Sequence, residues 1–164
     1  IGTLKLANSD GTGPDPDQWD GYPAERALVL GHIHAVGIDN LVVLSGDIHV
    51  AIAMELHDGS IADDAPVAVE FVTASLTSPN LDNKMGWPRR DEQSLTIERE
   101  LMRVLPHWKW CDLDDHGYVV VDVTPERVVA EWWFVPTVLQ RASGEESGAR
   151  LMVEHGTRRI VPAP

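Results

Sequence analysis

The sequence predicts an α/β fold that ends in an antiparallel β-meander, and three observations carry that prediction. A segment with apolar residues at helical spacing, Pro23 to Ile38, leads directly into the apolar run Leu41-Val42-Val43-Leu44-Ser45, which makes an αβ unit. That run is too short for a stable helix and is built of Leu and Val, so it reads as a strand covered on both faces. In the C-terminal third, three strand-like stretches follow one another through tight turns, the pattern of a meander.

Taken in order, Asn8 to Gln18 is dense in Asn, Asp, Gly and Pro and forms a loop. The first helix opens at Pro23-Ala24-Glu25-Arg26, where proline suits the first helical position, and carries Ala27, Leu28, Leu30, His34, Ala35 and Ile38, with Gly37 near its end. After the Leu41 strand, Val50 to Leu56 is a second strand, broken at His57-Asp58-Gly59, and Val67 to Thr73 is a third. Ser75 to Arg90 is too polar and too interrupted for a packed element, and long loops leaving a strand are where sites are built. Asp91 to Val104, with Leu95, Glu98, Leu101, Met102 and Leu105 at helical intervals, is a second helix.

The meander then comprises His107 to Leu113, Gly117 to Val123 and Arg127 to Val135, with turns at Asp114-Asp115-His116-Gly117 and Thr124-Pro125-Glu126. Along the last strand both alternating sets are apolar, so the sheet should be covered on both sides. Four of the six tryptophans, Trp108, Trp110, Trp132 and Trp133, lie here and read as core packing rather than as a platform for stacking bases. Arg141 to Glu146 is a polar tail, and Leu151 to Val161 adds an edge strand.

The 164 residues suffice for one domain or for part of a larger one, and 43% apolar content makes the chain globular. A formal net charge of −13 disfavours binding to nucleic acid or to an anionic membrane, both of which need a basic surface, and suits either cation binding or plain solubility. The single cysteine, Cys111, excludes an internal disulfide and a Cys-x-x-Cys zinc site. Neither a membrane-spanning apolar run nor a signal-peptide pattern is visible, and the start at Ile1 looks like that of a processed piece.

The chemistry concentrates at Gly46-Asp47-Ile48-His49, just past the first strand. In open α/β sheets ligands bind beyond the carboxyl ends of strands. Gly46 lets the backbone turn, and alternation along an extended chain would point Asp47 and His49 to one side. A carboxylate oxygen and an imidazole nitrogen together suit a divalent or transition metal. The plainer reading is a capped turn with a surface histidine.

Trp19-Asp20-Gly21-Tyr22-Pro23-Ala24-Glu25-Arg26, then Gly46-Asp47-Ile48-His49, then Glu70-Phe71-Val72-Thr73-Ala74-Ser75, then His116-Gly117-Tyr118 with Asp122-Val123-Thr124-Pro125-Glu126-Arg127 form an ordered set. Together they resemble the C-terminal part of PhoD-like enzymes, alkaline phosphatases of the calcineurin-like metallophosphoesterase superfamily, and of a related phospholipase D from actinomycetes. The resemblance runs from about Trp19 to Val135, leaving 1–18 as an exposed start and 136–164 as a C-terminal tail.

The resemblance implies the C-terminal half of a four-layer α/β/β/α sandwich, a secreted location, and an iron and calcium cluster that hydrolyses phosphate esters. It makes Asp47 and His49 metal ligands, and it gives Asp20 and Tyr22 a looser role lining the substrate pocket. The superfamily usually has Gly-His-x-His where this chain has Gly46-Asp47-Ile48-His49, so the aspartate favours a harder metal. Gly31-His32-Ile33-His34 spells that motif literally, but it falls inside the first helix, where the two histidines face different ways. Asp47-Ile48-His49 is not the superfamily's opening Asp-x-His, because no Gly-Asp-x-x-Asp or Gly-Asn-His follows.

The family's first ligands, a cysteine among them, lie upstream of anything in this chain, and Cys111 does not match that cysteine; it reads as a small buried hydrophobe. The expected partner is therefore the N-terminal fragment of the same enzyme, cleaved at an exposed loop and still bound. Substrates would be phosphate esters or phospholipids, with at most transient contact to a membrane surface. His107 and His116 are candidates to protonate the leaving oxygen or to orient a phosphate, against the plainer reading of strand-end histidines. Met85 and Trp87 would offer an apolar lip for lipid tails and tilt the reading towards phospholipase D over a phosphomonoesterase. Histidine binds metal only when neutral, so activity should fall in acid. A non-catalytic module with calcium-binding acidic loops is the alternative from another class.

Overall fold

The computed structural model describes residues 19–58 and 65–164. The expectations for the loop at Asn8 to Gln18 and for Gly59 lie outside them. A 3₁₀ turn at Trp19–Gly21 precedes helix α1, Pro23–Ala35, with proline in its first turn and Gly37 at φ 72° just beyond its end. Strands β1 (Val42–Ser45), β2 (Ala51–Leu56) and β3 (Ala68–Val72) follow, then a short helix α2 (Leu81–Met85) and α3 (Glu92–Val104). The rest is strand: β4 (Trp108–Asp112), β5 (Gly117–Val123), β6 (Arg127–Phe134), β7 (Glu146–Glu154) and β8 (Ile160–Pro162).

Two sheets form, in the orders β1-β3-β2-β4 and β5-β6-β7-β8. In the first, β1 runs parallel to β3, while β2 is antiparallel to both β3 and β4. The second is antiparallel throughout.

The alternation of β2 shows how the layers are made. Ile52, Met54 and Leu56 join Leu30, Leu105 and Trp108 in a core under the helices, whereas Ala51 and Ala53 face the second sheet. The small alanines leave room for Trp132, which meets Phe71 edge-on at 5.7 Å between ring centroids and Trp110 at 4.8 Å. Every residue of β2 and β3 is buried, as strands covered on both faces must be.

Three expectations are corrected. The stretch His107 to Leu113 is not the first strand of the meander: β4 pairs with β2 at the edge of the first sheet, and the chain crosses to the second sheet through Leu113 to His116. That turn is buried and its polar groups are met inside the protein, with Asp112 Oδ1 accepting from the Asp114 and Asp115 amides at 3.1 and 2.8 Å. The C-terminal tail, 136–164, holds two strands, β7 and β8, where Leu151 to Val161 reads as a single edge strand. On the outer face of the second sheet Val120 is 48% exposed while Val129 is buried, so the described residues cover that face only in part.

A fourth difference lies in the loop from Ser75 to Arg90. It is packed at its centre: Asn80 and Asp82 are buried, and the backbone N–H of Asn80 donates to Asn83 Oδ1 at 3.2 Å to start α2. Polarity here reflects groups satisfied internally, not solvent exposure.

Candidate functional site

Helix α1 reverses through Gly37 into β1, so its first turn lies at the carboxyl end of that strand. The same end gathers the Trp19–Gly21 turn, the carboxyl end of β3 and the start of β2. Asp20 is half-buried and Tyr22 is 55% exposed there, flanking Arg26 on the first turn of α1. Burial pushes the Arg26 guanidinium below its ordinary value, and the charges of Asp20 and Glu70 oppose that shift.

Beyond Ser45 the backbone is not extended, which corrects the alternation argument for Asp47 and His49. Both residues occupy the left-handed region, at φ 78° and 67°, and the Ile48 amide turns back to the Gly46 carbonyl at 3.0 Å. Aspartate and histidine are among the non-glycine residues that tolerate this region best, yet each such conformation costs on the order of 1–3 kcal/mol and collects at functional sites. Ile48 packs against the helix-side core between them, Asp47 is exposed, and His49 is half-buried.

The orientation of His49 is fixed by a neighbour. Its Nδ1 lies 3.3 Å from the Pro79 carbonyl oxygen, which can only accept, so Nδ1 is the donor of this pair and in a neutral ring the lone pair is on Nε2. A metal-binding histidine is held in this way by a backbone carbonyl. Among the described residues, no three of His, Cys, Asp and Glu come together closely enough to hold a metal.

His116 borders the same loop from the other side. Its Nε2 is 3.0 Å from Asn83 Oδ1, and its Nδ1 is 3.2 Å from Ser75 Oγ. Ser75 Oγ in turn lies 2.6 Å from Asn80 Oδ1, and Asn80 Nδ2 donates to the Asp114 carbonyl at 2.8 Å. Both ring nitrogens of His116 are thus engaged in shaping the loop that carries Pro79. His107 is elsewhere: its carbonyl accepts from the Glu55 amide, at the far end of β2 from Ala51. The sheet brings Asp20, Tyr22, Asp47 and His49 to one end and leaves His107 at the other.

Under the loop lies a buried acidic cluster. Arg90 Nη1 donates to Asp112 Oδ2 at 2.8 Å and to Glu98 Oε1 at 3.0 Å, and the Arg90 amide donates to Asp114 Oδ2 at 3.1 Å. Arg89 pairs with Asp115 and, at 2.8 Å, with Glu146 of β7. Burial first and the Asp115 charge second push the Asp112 carboxyl up to about 7. Two clefts, of about 370 Å³ beside Asp39 to Val42 and about 290 Å³ beside Arg89 and Arg90, include neither Asp47 nor His49.

The decoy motif stays inside α1, where His34 Nδ1 meets Asp58 Oδ2 at 2.6 Å. Cys111 is 3% exposed, as its reading as a small hydrophobe requires. Ser45 and Glu70 stand in the sequence only as parts of a strand and a motif, yet the Ser45 hydroxyl donates to Glu70 Oε1 at 2.6 Å. The signal was a glutamate inside an otherwise apolar strand, Ala68-Val69-Glu70-Phe71-Val72.

Comparison with known proteins decides the family, since residues 2–132 match the family described as PhoD-like phosphatase. The chain belongs to the PhoD-like phosphatases. A PhoD-like relative, alkaline phosphatase D of Bacillus subtilis (strain 168), is 34% identical over 125 residues, which is 76% of this chain and 20% of that protein. A solved structure described as that of PhoD superposes with a TM-score of 0.74 at 28% identity, covering 90% of this chain and 27% of the other. The mixed α/β architecture with two sheets therefore matches the part of the PhoD structure that it covers. The chain spans about a fifth of the length of the curated PhoD-like relative it matches.

Proposed function

We propose that this chain supplies the C-terminal part of the catalytic domain of a secreted, metal-dependent phosphoesterase, with Asp47 and His49 as two of the metal ligands. The observation that carries the reading is His49: its Nδ1–H is held by the Pro79 carbonyl, which leaves Nε2 free to coordinate, in a turn whose strain falls on both candidate ligands. Iron and calcium are the metals proposed, as the family resemblance implies; the imidazole suits iron and the exposed carboxylate suits calcium. Bound there, they would hold the phosphoryl oxygens and make a water more acidic. Asp47 and His49 would fix their position, and Asp20 and Tyr22, at the same end of the sheet, would line the approach to the phosphate.

The partner proposed is the N-terminal part of the same enzyme, which brings the remaining ligands and completes the four-layer sandwich. Strand β1 supports this. It runs parallel to β3 at the edge of its sheet, and Leu44 on it is 58% exposed, although parallel strands are ordinarily covered on both faces. Among the described residues no helix is long and apolar enough to cross a membrane.

The name of the Bacillus subtilis relative supports a phosphomonoester as substrate. A second reading, phospholipid diester hydrolysis, is favoured by Met85, 53% exposed on the loop beside His49, and by Leu76, 56% exposed there, whereas Trp87 is half-buried. Turnover of 4-nitrophenyl phosphate against that of phosphatidylcholine separates the two. In the protein assembled with its N-terminal part, Asp47→Ala and His49→Ala should each remove both metal and activity. Full activity in both variants would sink the assignment, and failure of inorganic phosphate to compete for the metal site would favour a non-catalytic module.

A further inference from the structure

We infer that Glu70 and Ser45 are positioning residues for the Asp47–His49 turn, clamping the end of β1 so that the strained ligand geometry is held before metal arrives. This rests on the reading of Asp47 and His49 as ligands.

A turn with two non-glycine residues in the left-handed region persists only where its surroundings over-determine it. The residues after the turn are fixed by β2, which is buried throughout. The residues before it need an anchor of equal strength, and Ser45 supplies one at both of its ends. Its carbonyl accepts from the Thr73 amide at 2.9 Å, and its hydroxyl donates to Glu70 Oε1 at 2.6 Å. A hydrogen bond to an ionised acceptor is shorter and stronger than a neutral one.

Glu70 is 2% exposed in the centre of β3, a position where a carboxylate is costly to keep unless it is paired. Alternation puts it with Ala68 and Val72 on the face towards the helices, the face on which Arg26 meets its charge. Arg26 also feels Asp20. Four elements thus converge behind the turn: the Trp19–Gly21 turn through Asp20, α1 through Arg26, β3 through Glu70 and β1 through Ser45. Gly46 fits the same construction, since a side chain there would begin 3.3 Å from Thr73 Cγ2.

The clamp adds no donor to the metal, so its loss should loosen the site without dismantling the sheet. The test uses the assembled protein and follows the rate at which iron and calcium are lost to EDTA, alongside kcat, KM and the thermal midpoint. Glu70→Gln keeps the shape and an acceptor but removes the charge, and Ser45→Ala removes the hydroxyl. Both should speed metal loss by about tenfold or more, the scale of outer-shell effects, with KM little changed. Ser45→Thr, which restores the hydroxyl, should restore wild-type retention.

Asp47→Ala serves as the control. If it abolishes metal binding while Glu70→Gln and Ser45→Ala retain metal as the wild type does, the clamp is overturned and the ligand assignment stands. If Asp47→Ala itself leaves metal retention unchanged, the ligand assignment has failed. Should Glu70→Gln not fold, the Ser45→Ala and Ser45→Thr pair decides alone.

Discussion

The indole Nε1 of Trp132 donates to the carbonyl oxygen of Val72 at 3.0 Å, a hydrogen bond that crosses from the second sheet to the last residue of β3 in the first. Trp132 is fully buried, so this bond and the ring contacts with Phe71 and Trp110 fix the two sheets in register just behind the loop that follows β3. Trp132→Phe removes the donor and part of the ring volume, and should cost about 2–4 kcal/mol. Urea unfolding followed by far-ultraviolet circular dichroism measures it; a loss below about 1 kcal/mol would show that the sheets dock without this bond.

The Asp112 carboxyl makes stability depend on pH in a sense opposite to that of most acids. Burial and the Asp115 charge raise it from 3.8 to about 7 in the folded chain, so between these values the folded state binds a proton that the unfolded state has released. Stability should therefore fall as pH rises from about 4 to 7, by on the order of a few kcal/mol, and level off above. Asp112→Asn keeps Oδ1 as acceptor for the Asp114 and Asp115 amides and does not titrate. Comparing urea midpoints at pH 5 and pH 8 should show a smaller drop in the variant, and equal drops would refute the assignment.

Much of the fold could be read from the sequence because periodicity reports directly on burial. The α1–β1 unit, β2, β3 and α3 fall where the apolar spacing put them. The pairing of β4 could not be read, because its sequence offers the same alternation to either sheet, and what decides is the buried turn capped by Asp112. The Asp47–His49 turn was legible as residue types and not as geometry: period two holds only while the backbone stays extended, and Asp47 leaves that region. Glu70 belongs to one of the ordered motifs, but its bond to Ser45 depends on parallel pairing of β1 with β3, which no local pattern encodes.

Cys111 should be inert in the folded protein. Burial pushes its thiol up to about 12, with the Glu98 and Asp112 charges adding to the shift, and the thiolate is the reactive form. A chromogenic disulfide reagent at pH 8 should find no reactive thiol in native protein and one per chain in guanidinium chloride. Rapid modification of the native protein would mean that β4, the edge strand of the first sheet, opens readily.

Two glycines should respond in opposite directions to alanine. Gly117 opens β5 where a side chain would run into the Trp133 backbone carbonyl and the Phe134 ring, neither of which can move without disturbing β6. Gly117→Ala should therefore destabilise by about 2–3 kcal/mol through overpacking. Gly31 lies inside α1 with nothing within 4 Å of the added carbon, and there alanine relieves the backbone entropy that glycine costs a helix. Gly31→Ala should stabilise by about 0.5–1 kcal/mol. Thermal midpoints measured side by side check both. Because Gly31 belongs to the Gly31-His32-Ile33-His34 decoy, its variant should also leave metal content untouched. Loss of metal in Gly31→Ala would return that motif to consideration as a site, against the helical placement that separates His32 from His34.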